Sequence, residues 1–418
     1  MLKTVSKRKN KKEYKLTSKL EKNNSKKLLT YKDLKNNYQC GFINLSKKKN
    51  KNNKSYPKIA LEEAFTWPNQ EKEVWSPIPM VYLLNQDKLS DIIDNRIKQM
   101  NKDNIKIQVL SVTSPGTESL KNGNLSYIIK KCQSINNYIA NEIKNHKNRF
   151  KVFACLPMRS PKAAAKELER CVKELGFVGA LVNGYDDCGK KKPIYFDTKD
   201  YDILWKKFVE LDVPLYMHPR VFLSNGSVFE SKDTDYLYDL YPEIHESAWG
   251  FHDRLALHVL RLLISGIFER NPDLKLILGH AGEILPWWAE RFEHRLCLEV
   301  DEYHKAPVEL KKKYNPQYPK LINKFHKKQK GWIPRINYNK LLLSSYFKKN
   351  IYITTSGFFS DSALKYLLEK YGEDRVLFAV DYPYEIQSQA SKWLDNINIK
   401  DSTKRKIAYK NAEKLLKI

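Results

Sequence analysis

Four short apolar runs end on side chains that can bind a cation or move a proton. IALEEAF carries Glu62 and Glu63, VPLYMHP carries His218, LKLILGH ends on His280 and RVLFAVDYP carries Asp381. A carboxylate, an imidazole and a second carboxylate make a mixed oxygen and nitrogen set for one divalent ion, with positions left for water and substrate. Zinc, manganese and magnesium all fit, although two carboxylates with one imidazole are a harder set than three histidines. A further apolar run, at 178–182, is followed by Asn183 and Gly184, with no lysine to form a bridging carbamate, so one ion is expected and not two. Gathering such groups away from water is costly unless a metal or a substrate satisfies them.

The elements that must position these groups read as strands alternating with helices. Eight strand-like runs occur, at 59–63, 107–112, 150–156, 178–182, 213–217, 274–278, 351–355 and 376–380. Short apolar runs bounded by turn residues mark buried parallel strands. PKAAAKELERCVKEL, YDILWKKFVELD and LPWWAERFEHRL between them have helical spacing, the first after a proline start. Eightfold repetition predicts an α/β fold of the (β/α)8 TIM-barrel type, in which all strand C-termini converge on one rim. A doubly wound open sheet is the alternative, but no G-x-G-x-x-G follows the first run. Side chains alternate along a strand, so Glu62 shares a direction with Ala64, and only one of Glu62 and Glu63 is expected to reach the cavity.

Of the 418 residues, 42% are apolar and 12% aromatic, enough for a large core, and no run approaches the roughly 18 residues of a membrane span. The net charge of +27 is uneven: residues 1–55 hold 18 lysines and arginines against Glu13, Glu21 and Asp33. Residues 1–55 therefore read as a basic, disordered Lys/Asn-rich extension, and 56–418 as the barrel. Polyanion binding and an organelle address are the alternatives for the extension; a cytoplasmic location is the simple reading, because there is no signal-peptide core. Cysteines 40, 132, 155, 171, 188 and 297 form no C-x-x-C pair and suggest buried thiols in a reducing compartment. Residues 219–253 read as a long connection able to cover the barrel mouth, and 300–345 as a basic surface insertion. His258 reads as a packed, hydrogen-bonded residue, and His245, His252, His294, His304 and His326 receive no role. Phe65, Trp67 and Trp75 read as core before they read as walls of an aromatic site.

KIALEEAF, LSVTSPG, YDILWKKFVELDVPLYMHPR, LKLILGHAGE, IYITTSGFFS and DRVLFAVDYPYE together resemble the amidohydrolase-related, metal-dependent decarboxylases, from Lys58 to Ile418. Within them the chain is most similar to the 2,3-dihydroxybenzoate (o-pyrocatechuate) decarboxylases. The resemblance implies Glu62, His218 and Asp381 as metal ligands and His280 with Glu283 as a proton-handling pair. Arg291 is similar to an arginine that approaches the site in resorcylate decarboxylases. Most of the superfamily carries histidine two residues after the first acidic or histidine ligand, where this chain has Ala64. That Glu-x-Ala variant resembles the 2,3-dihydroxybenzoate enzymes and argues against a resorcylate or picolinate type. The implied reaction is non-oxidative loss of CO2 from an ortho-hydroxybenzoate, with one divalent ion, no organic cofactor, and Asp381 giving a proton to the ring. A homodimer or homotetramer is implied as well. Two other readings remain: a metal-dependent hydrolase of an ester, lactone or amide, and a polyanion-binding protein acting through its tail.

Overall fold

The computed structural model describes residues 54–75, 80–190, 192–220, 244, 246–305, 307–314 and 343–418, all within one compact unit. All eight anticipated strands form: β1 Lys58–Phe65, β2 Ile105–Val112, β3 Phe150–Val152, β4 Ala180–Asn183, β5 Leu215–His218, β6 Leu276–Leu278, β7 Ile351–Thr354 and β8 Val376–Leu377. They pair in parallel and in chain order, as β1–β2–β3 and β4–β5–β6–β7–β8. A bridge from Ala154 to Ala180 joins the two sheets. The circle closes where Leu61 N–H donates to Phe378 O (3.3 Å), Asp381 N–H to Glu62 O (3.0 Å) and Ala64 N–H to Tyr382 O (2.7 Å). Closure with sequential order gives the (β/α)8 barrel and excludes the open, doubly wound sheet.

Helices follow the strands: α1 Asp94–Lys102, α2 Leu125–Glu142, α3 Pro161–Lys173, α4 Asp202–Leu211, α5 Gly250–Ile264, α6 Leu285–Lys305, α7 Leu343–Lys349, α8 Asp361–Tyr371, α9 Gln387–Asn396 and α10 Asn411–Leu416. Local chemistry sets several starts. Asn124 caps α2 by accepting from Ser126 and Tyr127 N–H, and Ser160 caps α3, whose first residue is Pro161. Two apolar layers result. The interior includes Ile59, Leu61, Ile107, Val109, Phe153, Leu181, Tyr216, Ile277, Leu377 and Ala379, with Ala412, Leu415 and Leu416 of α10 packed against it. The larger layer lies between strands and helices and contains Ala60, Phe65, Trp67, Leu110, Leu204 and Leu278. Phe65 and Trp67 are therefore core.

Cys132, Cys155, Cys171 and Cys188 are buried free thiols. His258 is buried and accepts from Phe196 N–H at 3.2 Å, the packed role anticipated for it. Residues 1–53 of the basic extension, 221–243 of the long connection and 315–342 of the insertion lie outside the described residues. The insertion's described beginning is helical, since α6 runs on to Lys305 and a short helix spans Val308–Tyr314. No helix among the described residues is long and apolar enough to cross a membrane.

Candidate active site

Strand parity explains most of the site. Tyr216, Ile277, Leu377 and Ala379 face the barrel interior, so two residues further along, His218, Gly279 and Asp381 share that direction at the C-terminal rim. On β1 simple alternation fails. Ile59 and Leu61 face inward, which would send Glu63 inward and Glu62 outward. Between Ala60 and Glu63, however, three steps on β1 match two on β2, from Gln108 to Leu110. This extra residue is a β-bulge, a device that re-aims side chains beside active sites. It turns Glu62 and Ala64 to the cavity and Glu63 to the layer behind.

Glu62, His218 and Asp381 each offer a ligand atom, and those atoms lie within 4.8 Å of one another. Tyr216 hydroxyl donates to Glu62 Oε2, and Thr354 Oγ1 lies 3.4 Å from the same oxygen. Glu62 Oε1 is buried and accepts no hydrogen bond. It stands 3.4 Å from His218 Nε2, the separation expected for two ligands that share an ion at about 2.1 Å each. A buried anionic oxygen without a donor, facing an imidazole nitrogen and a second carboxylate, fits a divalent cation. Burial pushes the Glu62 carboxyl above its usual range, and Asp381 pushes the same way, against the two histidines. Burial pulls the His218 imidazole down, with neighbouring His280 adding to that and Glu62 opposing it. Gly279 makes this packing feasible: a β-carbon there would lie 2.9 Å from Glu62 Oε2 and 3.0 Å from Oε1.

Glu63 is fully buried behind the site, where it accepts from Val380 N–H at 3.1 Å and Gln108 Nε2 at 3.4 Å. Arg96 of α1 donates to Ala64 O at 2.8 Å and lies over the Tyr382 ring, 4.8 Å from its centroid. These contacts brace both chain segments that carry the acids.

The GHAGE turn after β6 is unusual in backbone. His280, Ala281, Gly282, Glu283 and Ile284 all have positive φ, between 43° and 88°. Four of the five are not glycine, and such conformations persist only where surrounding contacts hold them. His280 Nδ1–H donates to Glu283 Oε1 at 2.8 Å, which leaves Nε2 facing Asp381 Oδ2 at 3.7 Å. Glu283's other oxygen accepts from His252 Nδ1–H of α5 at 2.6 Å. Burial pulls the His280 imidazole down, but Glu283, Glu62 and Asp381 outweigh it and hold it well above its ordinary value. Burial works upward on Glu283, yet the two imidazoles outweigh it and hold its carboxyl at about 2.

The space over Glu62, His218 and Asp381 is lined by Ala64, the stretch Ser111–Ser114 and Tyr384, with a Thr113–Tyr384 hydroxyl pair at 2.5 Å. Five of the six anticipated site residues converge here: Glu62, His218, Asp381, His280 and Glu283. Arg291 does not line this space and sits on an exposed face of α6. Sequence reasoning passed over Tyr216, Thr354 and His252. Tyr216 was legible in principle, being two residues before His218 on one strand. His252 had no such signal, since it meets Glu283 only through the fold.

Comparison with known proteins places the chain. The amidohydrolase family profile matches residues 72–303 and 327–418. Gamma-resorcylate decarboxylase of Rhizobium sp. is 34% identical over 363 residues, covering 86% of this chain and 98% of that protein. The crystal structure of 2,6-dihydroxybenzoate decarboxylase from Rhizobium superposes with a TM-score of 0.70 at 33% identity, covering 86% of this chain and 98% of that one. A dihydroxybenzoic acid decarboxylase from Polaromonas sp., solved with bound manganese and the inhibitor 2-nitroresorcinol, gives 0.70 at 33% identity over 86% and 97%. Proteins named as resorcylate decarboxylases are thus among its relatives, and the choice of substrate type read from the Glu-x-Ala step is left to the proposed function. The chain belongs to the amidohydrolase family.

Proposed function

We propose that this amidohydrolase-family chain removes CO2 from a hydroxybenzoate that carries a hydroxyl ortho to its carboxylate. It is a metal-dependent carboxy-lyase of aromatic acids, using one divalent ion and no organic cofactor. The observation that carries the reading is the pairing of a cation-ready Glu62, His218 and Asp381 with His280, which faces Asp381 and is held by the buried Glu283. The ring's own substitution, with 2,3- and 2,6-dihydroxy patterns as the candidates, is a finer choice made by the walls at Ser111–Ser114 and Tyr384.

Glu62, His218 and Asp381 would hold the ion, which when bound supplies Lewis-acid charge for the substrate's carboxylate and ortho oxygen. Asp381 delivers a proton to the ring carbon bearing the carboxylate. The bond from that carbon to the carboxylate then breaks, CO2 leaves, and its electron pair restores the aromatic ring. One proton is consumed per turnover, and His280, with Nε2 toward Asp381, is placed to return it. Glu283 fixes the His280 tautomer by accepting from Nδ1–H. The ionised Glu283 makes this a charge-assisted bond.

The test is metal analysis of the purified protein joined to a CO2 assay across mono- and dihydroxybenzoates. Stoichiometric CO2 and phenol or catechol are expected. Inactivity on every ortho-hydroxybenzoate, with hydrolysis of an ester, lactone or amide instead, overturns the reading. A homodimer or homotetramer is the assembly we infer, to be read by light scattering.

A further inference from the structure

We propose that His252 is a positioning residue for proton delivery: it clamps the second oxygen of Glu283, so that Glu283 holds His280 in one tautomer and orientation toward Asp381. The inference rests on the decarboxylase reading above, and it concerns a histidine to which nothing in the sequence assigns a task.

Three observations carry it. First, the two oxygens of one fully buried carboxylate are divided between two imidazoles. His280 Nδ1 takes Oε1 at 2.8 Å and His252 Nδ1 takes Oε2 at 2.6 Å. A carboxylate bonded through one oxygen can still rotate about its last torsion, whereas one bonded through both is fixed in plane. Second, His252 is itself held at both ends, because its Nε2 donates to Ser247 O at 2.9 Å. Its two partners, a carboxylate on Nδ1 and a carbonyl on Nε2, lie at opposite edges of the ring and fix its orientation. Third, Glu283 lies in a run of positive-φ residues, where the backbone does not favour the observed geometry and side-chain tethers must hold it. The rings of His252 and His280 meet edge to face, with centroids 5.2 Å apart, which leaves His280 little freedom to flip.

A relay of protons through His252 into His280 does not follow from this arrangement. His280 loses its proton at Nε2, on the Asp381 side, while His252 reaches it only through Glu283 at Nδ1. Refilling Nε2 along that route would need the ring to turn over. The geometry therefore assigns His252 to orientation, and the reloading proton must come from the cavity side.

The variants H252A, H252N, E283Q and H252A/E283Q test this, assayed with the metal-loaded protein on the best hydroxybenzoate. H252A should lose about 10- to 100-fold in kcat with KM within about twofold, the scale of a misplaced supporting group. H252N should recover most of that loss, since its amide nitrogen occupies the Nδ1 position. The double variant should be no slower than E283Q, because His252 acts only through Glu283. A kcat for H252A within twofold of wild type overturns the proposal. So does a loss that H252N does not relieve, or a loss that multiplies with that of E283Q.

A second readout does not need turnover. In protein with 15N-labelled histidine, the hydrogen-bonded Nδ1–H signal of His280 should shift in H252A and disappear in E283Q, and its constancy in H252A overturns the proposal. If wild type releases no CO2 from any hydroxybenzoate, the functional reading fails while this spectroscopic arm still decides the role of His252. Titration with manganese that finds a second equivalent, removed by H252A, would make the cluster a cation site and overturn the clamp.

Discussion

Replacing Gly279 by alanine isolates the packing that prepares Glu62 for a cation. Gly279 has φ −71°, which alanine adopts without strain, so the substitution perturbs contacts and leaves the backbone alone. The added β-carbon would sit 2.9 Å from Glu62 Oε2, 3.0 Å from Oε1 and 3.1 Å from the Tyr216 hydroxyl. Ordinary carbon–oxygen contact begins near 3.4 Å, so the carboxylate must retreat by 0.4 to 0.5 Å. Ligand positions in a metal site tolerate about 0.2 Å. Neither neighbour offers an easy escape, because Tyr216 and Glu62 are both buried and hydrogen-bonded to each other.

We expect G279A to bind manganese about 10- to 100-fold more weakly, on the order of 1.4 to 2.8 kcal/mol, the range seen when groups around a ligand are disturbed. The assay is titration of chelator-stripped protein with manganese, read by the paramagnetic resonance of the free ion, alongside thermal melting of the same samples. Manganese affinity within twofold of wild type, in a variant that melts normally, refutes the assignment of Glu62 as a ligand held by this glycine.

Asp381→Asn keeps the side chain's size but has no carboxyl proton to give, so CO2 release should fall at least about 100-fold, and near wild-type release removes Asp381 as the proton donor. Stripping the metal with a chelator should abolish CO2 release, and added manganese should restore it; activity that survives complete removal counts against the whole site. The buried His258, which burial and then Arg261 hold down at about 3, makes the fold acid-sensitive. Its folded value lies below the unfolded one of about 6.5, so the unfolded chain gains a proton that the folded one refuses, and stability is lost as pH falls below about 6.5. Between pH 7 and pH 5 this costs about 2 kcal/mol, so urea unfolding should show a smaller acid loss by about that amount in His258→Gln; equal acid losses in both proteins refute it.

The barrel was legible because its strands are buried on both faces, and a strand in that position must be apolar along its whole length whatever the function. That requirement marked all eight runs, and it marked their polar ends by contrast, which brought Glu62, His218, His280 and Asp381 into view. The terminal interactions left no such trace. Glu283 meets His252 across 31 residues, and the contact depends on how α5 lies against the turn after β6. Arg291, a charged residue in a motif-like segment, lies on an exposed helix face and outside the space over the acids.

The two glutamates of β1 show most clearly where sequence reasoning stops. Alternation says that one faces the cavity, but deciding which requires knowing the phase of the strand at its end. Counted from the inward Ile59 and Leu61, the phase selects Glu63. The bulge before Glu63 reverses it, and the reversal is visible only in the pairing of Ala60 with Gln108 and of Glu63 with Leu110. One inserted residue thus decides which carboxylate is available to a cation and which is fixed behind it by Val380 N–H and Gln108. The adjacent acids are chemically alike, and their different roles come from backbone geometry alone.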